Sequence, residues 1–208
     1  MFSLKTAPVW LLFFLLAGKG AAQTRADDGP KGQLMIYGSL DYSKTSAPQN
    51  NSSSFSTSPN AGIPVGIGYF IDNNNLIGIN MAFARNKDAA GQLAFQQQEV
   101  GFWYSPSKQI GEHFLLIAQV DAHYVWGRSP GVPSGDLTAY QGYRLRAYPM
   151  LGVLLGKGWA LKFKFGELSM LTTKAKGQGA QHDFVAGLSG ATFGTGISKN
   201  FSLRKRHD

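Results

Sequence analysis

Cysteine is absent from the 208 residues, which excludes a disulfide framework and any thiolate metal site. Histidine is scarce. Its four residues are scattered, with no His-x-x-x-His or carboxylate spacing that would hold a metal. No cofactor is expected. Charge is sparse too: Asp, Glu, Lys and Arg make up 15% of the chain, with a net charge of +8. The basic residues are dispersed and form no DNA- or RNA-binding motif, so no nucleic acid partner is expected. The same balance suits lipid phosphates. Beyond residue 18 no apolar run could cross a membrane as a helix, which needs ~20 residues. A mature chain that enters a membrane must then do so as a barrel of strands. Glycine is plentiful, at 26 residues, and aromatics reach 12%. Together with low charge, they suit an all-β chain with alternating faces.

Residues 1–22 read as an export signal. Lys5 precedes an apolar run over 7–18, and the small residues Gly20, Ala21 and Ala22 follow. The expected cut falls after Ala22. A membrane anchor is the other reading, but the run is too short for a spanning helix. Residues 23–31 are polar and read as a flexible lead. The domain proper is expected over 32–203, with a basic tail at 204–208.

Period-two alternation runs through the domain, most clearly in GWALKFKFGEL at 158–168. Trp159, Leu161, Phe163 and Phe165 fall on one side; Ala160, Lys162, Lys164 and Gly166 fall on the other. That is a strand with one unusually apolar face. Similar strands are predicted at 33–44, 63–71, 76–85, 92–105, 112–126, 139–155 and 183–203. Polar turns are expected at 72–75, 105–111 and 156–158. Long polar loops are expected at 45–60, 127–138 and 174–181.

The count is about eight strands, an even number. Long connections follow the first, fifth and seventh strands, and short ones follow the second, fourth and sixth. A soluble sandwich has no reason to separate long from short connections, whereas a membrane barrel does. Ten residues at ~3.3 Å each, tilted by ~40°, rise about 25 Å, the height of such a barrel's apolar band. The fold class expected is all-β: an eight-stranded antiparallel up-and-down transmembrane β-barrel.

The segment GIGYFIDNNNLIGINMAF resembles the second hairpin of the outer membrane protein beta-barrel domain family of Gram-negative bacteria. YRLRAYPMLGVLLGKGWALKFKFGEL is similar to its third hairpin, and FGTGISKNF to its closing strand. The likeness spans nearly the whole mature chain, although Lys199 stands where that family has an aromatic and residues 202–208 follow Phe201. It implies location in the outer membrane after export. It also implies outer-membrane lipids, lipopolysaccharide and the barrel-insertion machinery as partners. It says nothing of a ligand.

Parity assigns the candidate residues. Glu99, Asp121, His123, Arg144, Arg146, Lys162 and Lys164 point inward as a charge network, with Asp121 level with Arg146 and Glu99 reaching Lys164 across the interior. An eight-strand interior is just wide enough for side chains to fill, so a closed interior is expected rather than a pore. Tyr69, Phe83, Phe102, Phe114, Tyr124, Trp126, Trp159, Phe163, Phe165 and Phe201 point outward to lipid. Arg85, Lys87, Arg128, Lys174 and Lys176 gather at the outer rim, where they could meet lipid phosphates. Gln96 and Gln98 share outward parity, so they lie above the membrane or beside a bulge. Glu167 also has outward parity, unless a bulge at Gly166 turns it in. His123 beside Asp121, or His182 beside Asp183, could suggest catalysis with Ser129, Ser134 or Ser189. None forms a recognisable spacing, and no enzyme is expected. The expected role is structural or adhesive, through the long loops and a partner that the sequence does not name. A passive small-solute or anion channel and a soluble ligand-binding barrel are the alternatives.

Overall fold

The computed structural model describes residues 29–39, 41–47, 50–56, 64–130, 137–175, 177–188 and 193–203. The export signal, most of the lead, Lys176, Ser134, Ser189 and the basic tail lie outside them. Every described element is a strand, and among the described residues no helix is long and apolar enough to cross a membrane. The twelve are β1 (Gln33–Gly38), β2 (Asp41–Ala47), β3 (Asn50–Ser56), β4 (Val65–Phe70), β5 (Asn75–Lys87) and β6 (Leu93–Ile110). They continue with β7 (Phe114–Pro130), β8 (Leu137–Gly156), β9 (Trp159–Lys164), β10 (Glu167–Ala175), β11 (Ala180–Gly187) and β12 (Gly194–Ser202).

Eight of these strands close an antiparallel ring, in the order β8-β7-β6-β5-β4-β1-β12-β9 and back to β8. The expected count of eight describes this ring. The remaining strands extend it at one end. The β2–β3 hairpin continues upward on β5, and the β10–β11 hairpin continues upward on β8. From Ile36, one route round the ring reaches Leu145 on β8, and the other reaches Gly156. Strands in such a staggered closed sheet are tilted to its axis.

Cross-strand neighbours form hoops. Ile36, Ile67, Ile79, Phe102, Ala122, Leu145 and Met170 follow one another on the outer face. One step along each strand turns to the inner face: Tyr37, Gly66, Asn80, Gly101, His123 and Arg144. The next inner hoop holds Met35, Gly68, Gly78, Trp103, Asp121 and Arg146. Here two glycines make room for one indole. A Cβ on Gly68 would lie 2.5 Å from Trp103 Cζ2, and one on Gly78 would lie 2.7 Å from its Cε2. The end of the ring nearest the short turns is filled by Met35, Tyr37, Phe70, Leu76, Trp103, Ile117, Tyr148 and Met150.

Strand covers at least half of each of the three expected loops. Residues 45–47 belong to β2 and 50–56 to β3; β7 runs to Pro130, and β8 starts at Leu137. In the third, β10 runs to Ala175 and β11 starts at Ala180. Ladder bonds join backbones, so Ser- and Asn-rich segments can pair where neither face has to be apolar. The turn expected at 105–111 shrinks to 111–113, because β6 continues through Pro106 to Ile110. The expected last strand divides into β11 and β12. The Asp72 turn is as expected: its Oδ1 accepts from Asn74 N at 2.7 Å and Asn75 N at 2.8 Å. The lead is pinned at its end, with Lys31 N donating to Asn73 Oδ1 at 3.1 Å.

Alternation breaks once between β9 and β10. Met150 pairs with Lys164, but Ala147 pairs with Leu168. One extra residue therefore sits opposite β8, as in a β-bulge. Gly166 takes the left-handed conformation there, at φ 86°. The bulge brings Glu167 onto the same inner face as Lys164, and both are buried. Of the alternatives left open for Glu167, the bulge at Gly166 that turns it inward is the one found.

Candidate functional site

Inside the ring most of the inward polar side chains form one connected network, from Tyr140 to Tyr148. Glu99 Oε1 is 3.2 Å from Arg144 Nη1, and its Oε2 is 2.9 Å from His123 Nδ1. His123 Nε2 meets Asn80 Oδ1 at 2.6 Å. Asn80 Nδ2 donates to Tyr37 OH at 2.9 Å, and Gln119 Nε2 donates to the same oxygen at 3.1 Å. Gln119 also donates to Asp121 Oδ1 at 2.8 Å. Asp121 Oδ2 accepts from Arg146 Nη2 at 3.0 Å and from Tyr148 OH at 3.1 Å. At the other end, Gln97 donates to Glu99, and Tyr140 OH donates to Gln97.

The Tyr37–Gln119 contact joins β1 to β7, with β4, β5 and β6 between them in the ring. It therefore reaches across the interior rather than along the wall. Gly101 leaves space for a second long reach. A Cβ there would lie 2.3 Å from His123 Cδ2, so the imidazole passes over β6 to Asn80 on β5.

All seven residues expected inside are buried there. Asp121 and Arg146 pair as their heights suggest. The expected Glu99–Lys164 pair does not form. Lys164 pairs with Glu167, and its Nζ lies 4.9 Å from the centre of the Tyr148 ring. The reason is the bulge: it puts a carboxylate three residues from the ammonium on the same face. Glu99 is taken up by Arg144 and His123.

Sequence reasoning centred on charge missed the neutral members. Tyr37, Asn80, Gln97, Gln119 and Tyr148 carry much of the network. Their inward parity was the available signal: Asn80, Gln97, Gln119 and Tyr148 each share a face with a charged or glycine residue on their own strand, and Tyr37 shares one with Gln33 and Met35. Hydrogen-bonding capacity, rather than charge, marks them.

The outer face has the opposite chemistry. The ten expected outward aromatics all lie on it. Phe83, Trp159, Phe163 and Phe201 are half-buried, and the others are exposed. Phe102 is 75% exposed, and Ile79 and Leu145 are each 51% exposed. Glu99, Asp121, Arg146 and Lys164 inside are at 0–2%.

Above this apolar band the outer face turns polar. Arg85, Gln96 and Arg128 are direct neighbours on β5, β6 and β7. Adjacent strands lie ~4.8 Å apart, so the two arginines stand about 10 Å apart at the backbone. One step lower come Gln98, Trp126, Gln141 and Lys174. The β5–β6 register shifts at Asn86/Lys87 and runs unbroken past Gln96 and Gln98, which therefore need no bulge and lie above the band. Lys87 stands higher, beside Leu93. Lys199 marks the opposite edge. Its Nζ lies 5.1 Å from the Trp159 ring centre and donates to Lys157 O.

His182 meets Thr172 Oγ1 at 3.0 Å on the exposed β10–β11 hairpin, and Asp183 accepts from Gln181. His123 is held between Glu99 and Asn80. Among the described residues, no group of three His, Cys, Asp or Glu could hold a metal. Comparison with family models, with curated proteins and with solved structures finds no match for this chain.

Proposed function

We propose that the chain is an exported, integral outer-membrane β-barrel with a structural or surface-interaction role and a closed interior. One observation carries this reading: the polarity of the ring is inverted. The hoop Ile36–Ile67–Ile79–Phe102–Leu145–Met170 is 40–75% exposed, while Glu99, Asp121, Arg144, Arg146, Lys162, Lys164 and Glu167 are sealed inside. Fully removing one such aliphatic or aromatic side chain from water is worth about 1.5–3 kcal/mol. A continuous hoop of them needs an apolar surrounding, and a bilayer is one that encircles a ring. A lysine or arginine at mid-depth on the lipid face would cost ~2–4 kcal/mol, which accounts for the basic residues lying inside or at the rims.

The rims fit the same picture. Arg85, Arg128 and Lys174 at one rim, and Lys199 at the other with its Nζ over the Trp159 ring, suit contact with lipid phosphates. The cross-interior hydrogen bonds of Tyr37, Gln119, Asn80 and His123 support a closed interior. The far ends of the hairpins β2–β3 and β10–β11, beyond the mid-height hoop, offer the surface for a partner.

Refolding into lipid vesicles tests the reading. The folded protein should float with the vesicles and migrate differently on gels before and after boiling. Recovery in the aqueous fraction without detergent would sink it. Steady large conductance in planar bilayers would sink the closed interior alone.

A further inference from the structure

The interior charges do not balance. Arg144 has Glu99, Arg146 has Asp121, and Lys164 has Glu167. Lys162 is 4% exposed, and among the described residues its Nζ meets the Met35 sulfur at 3.3 Å and the Tyr37 ring at 4.9 Å. Among the described residues no carboxylate lies within ion-pair reach of it. A thioether and a ring face replace little of the hydration that a buried ammonium gives up.

Beside Lys162 lies a cavity of about 200 Å³. Its walls include Met35, Phe70, Leu76, Ile117 and Trp159, and Gly156 and Gly158 of the last short turn border it at the exposed end. It is thus a mainly apolar pocket with Lys162 as its one charged residue; Ser105, Ser107, Ser198 and Asn200 also stand on its wall, and it faces the short-turn end of the ring. An apolar cavity of ~150 Å³ accepts benzene. This one has room for a single ring, or a short alkyl chain, with one small charged group.

We infer that this pocket binds a small monocarboxylate with an apolar body, its carboxylate on Lys162 Nζ and its ring or chain against Phe70, Leu76 and Ile117. The bound anion completes the charge balance that the protein leaves open. The inference rests on the interior of the ring and not on where the ring resides.

Calorimetric titration of the full mature chain, refolded in non-ionic micelles, tests it. The probes are benzoate, hexanoate and the neutral isostere benzyl alcohol. Saturable binding of at least one carboxylate is expected, with benzyl alcohol at least tenfold weaker. That ratio is roughly what the loss of one hydrogen bond to a charged group gives. Lys162→Met should weaken the carboxylate by a similar factor and leave benzyl alcohol unchanged, with the gel shift on boiling retained. The charge-specific comparison on the unaltered protein needs no variant, so a misfolded Lys162→Met does not remove the test. Equal binding of carboxylate and alcohol, or no saturable binding of either carboxylate, would overturn the inference. So would a folded Lys162→Met with undiminished carboxylate affinity.

Discussion

Replacing Asp121 with alanine removes the acceptor at the middle of the interior network. Its carboxylate takes hydrogen bonds from Gln119, Arg146 and Tyr148 and is fully buried. The Arg146 guanidinium, itself 2% exposed, would be left without its carboxylate. Breaking a buried pair from one side costs about 3–5 kcal/mol, because the remaining charge stays desolvated. Removing both charges avoids that penalty, and an apolar replacement of a buried pair is often neutral. Asp121→Ala should therefore lose about 3–5 kcal/mol, and Asp121→Ala with Arg146→Met should regain about 2 kcal/mol of it. Urea unfolding of the refolded protein measures both, followed by tryptophan fluorescence and by gel mobility without boiling. A loss below about 1 kcal/mol in the single variant, with simple additivity in the double, would refute the reasoning.

Three further outcomes follow from local geometry. Gly68→Ala forces a Cβ against the Trp103 ring and should cost about 1–3 kcal/mol, with Trp103→Leu recovering much of it; an unchanged urea midpoint in Gly68→Ala would count against the Gly–Gly–Trp packing. Gly166→Ala places a side chain at φ 86° and 2.3 Å from Leu188 Cδ2, and should cost about 1–2 kcal/mol for the backbone alone, read as a lower urea midpoint. Asp72 has its carboxyl held below its ordinary value by Asn74 N–H first and by the Asn75 side chain next. Its stabilisation is therefore full above the ordinary carboxylate range and is lost as pH falls through the lowered value. The stability gap between the protein and Asp72→Asn should be constant near neutrality and shrink in acid. A gap independent of pH down to strong acid would contradict the hydrogen-bonded turn.

Period-two parity made much of the ring legible. Lys162, Arg144, Arg146 and Asp121 lie on the face that alternation gives them, because in a strand one covalent step is one change of side. The same rule failed at Glu167, where a single extra residue at Gly166 reverses parity. The sequence shows a glycine there but not its left-handed conformation. Partner choice was not legible for Lys164 for the same reason. The polar stretch at 45–60 read as a loop because apolar alternation was the only strand signal sought. Pairing of β2 with β3 uses backbone bonds that leave no such mark. Tyr37 and Gln119 meet across the interior from β1 and β7, a contact that depends on closure and stagger rather than on any local pattern.

The inverted polarity is the claim on which the rest depends. Nitroxide labels at Ile79, Phe102 and Leu145, one at a time, test it in protein refolded into lipid vesicles. All three sit on one outward hoop and touch none of the interior network. Collision with oxygen, which concentrates in the bilayer, should be high, and collision with a water-soluble nickel chelate should be low at all three positions. The opposite pattern, high with the chelate and low with oxygen, would contradict the account.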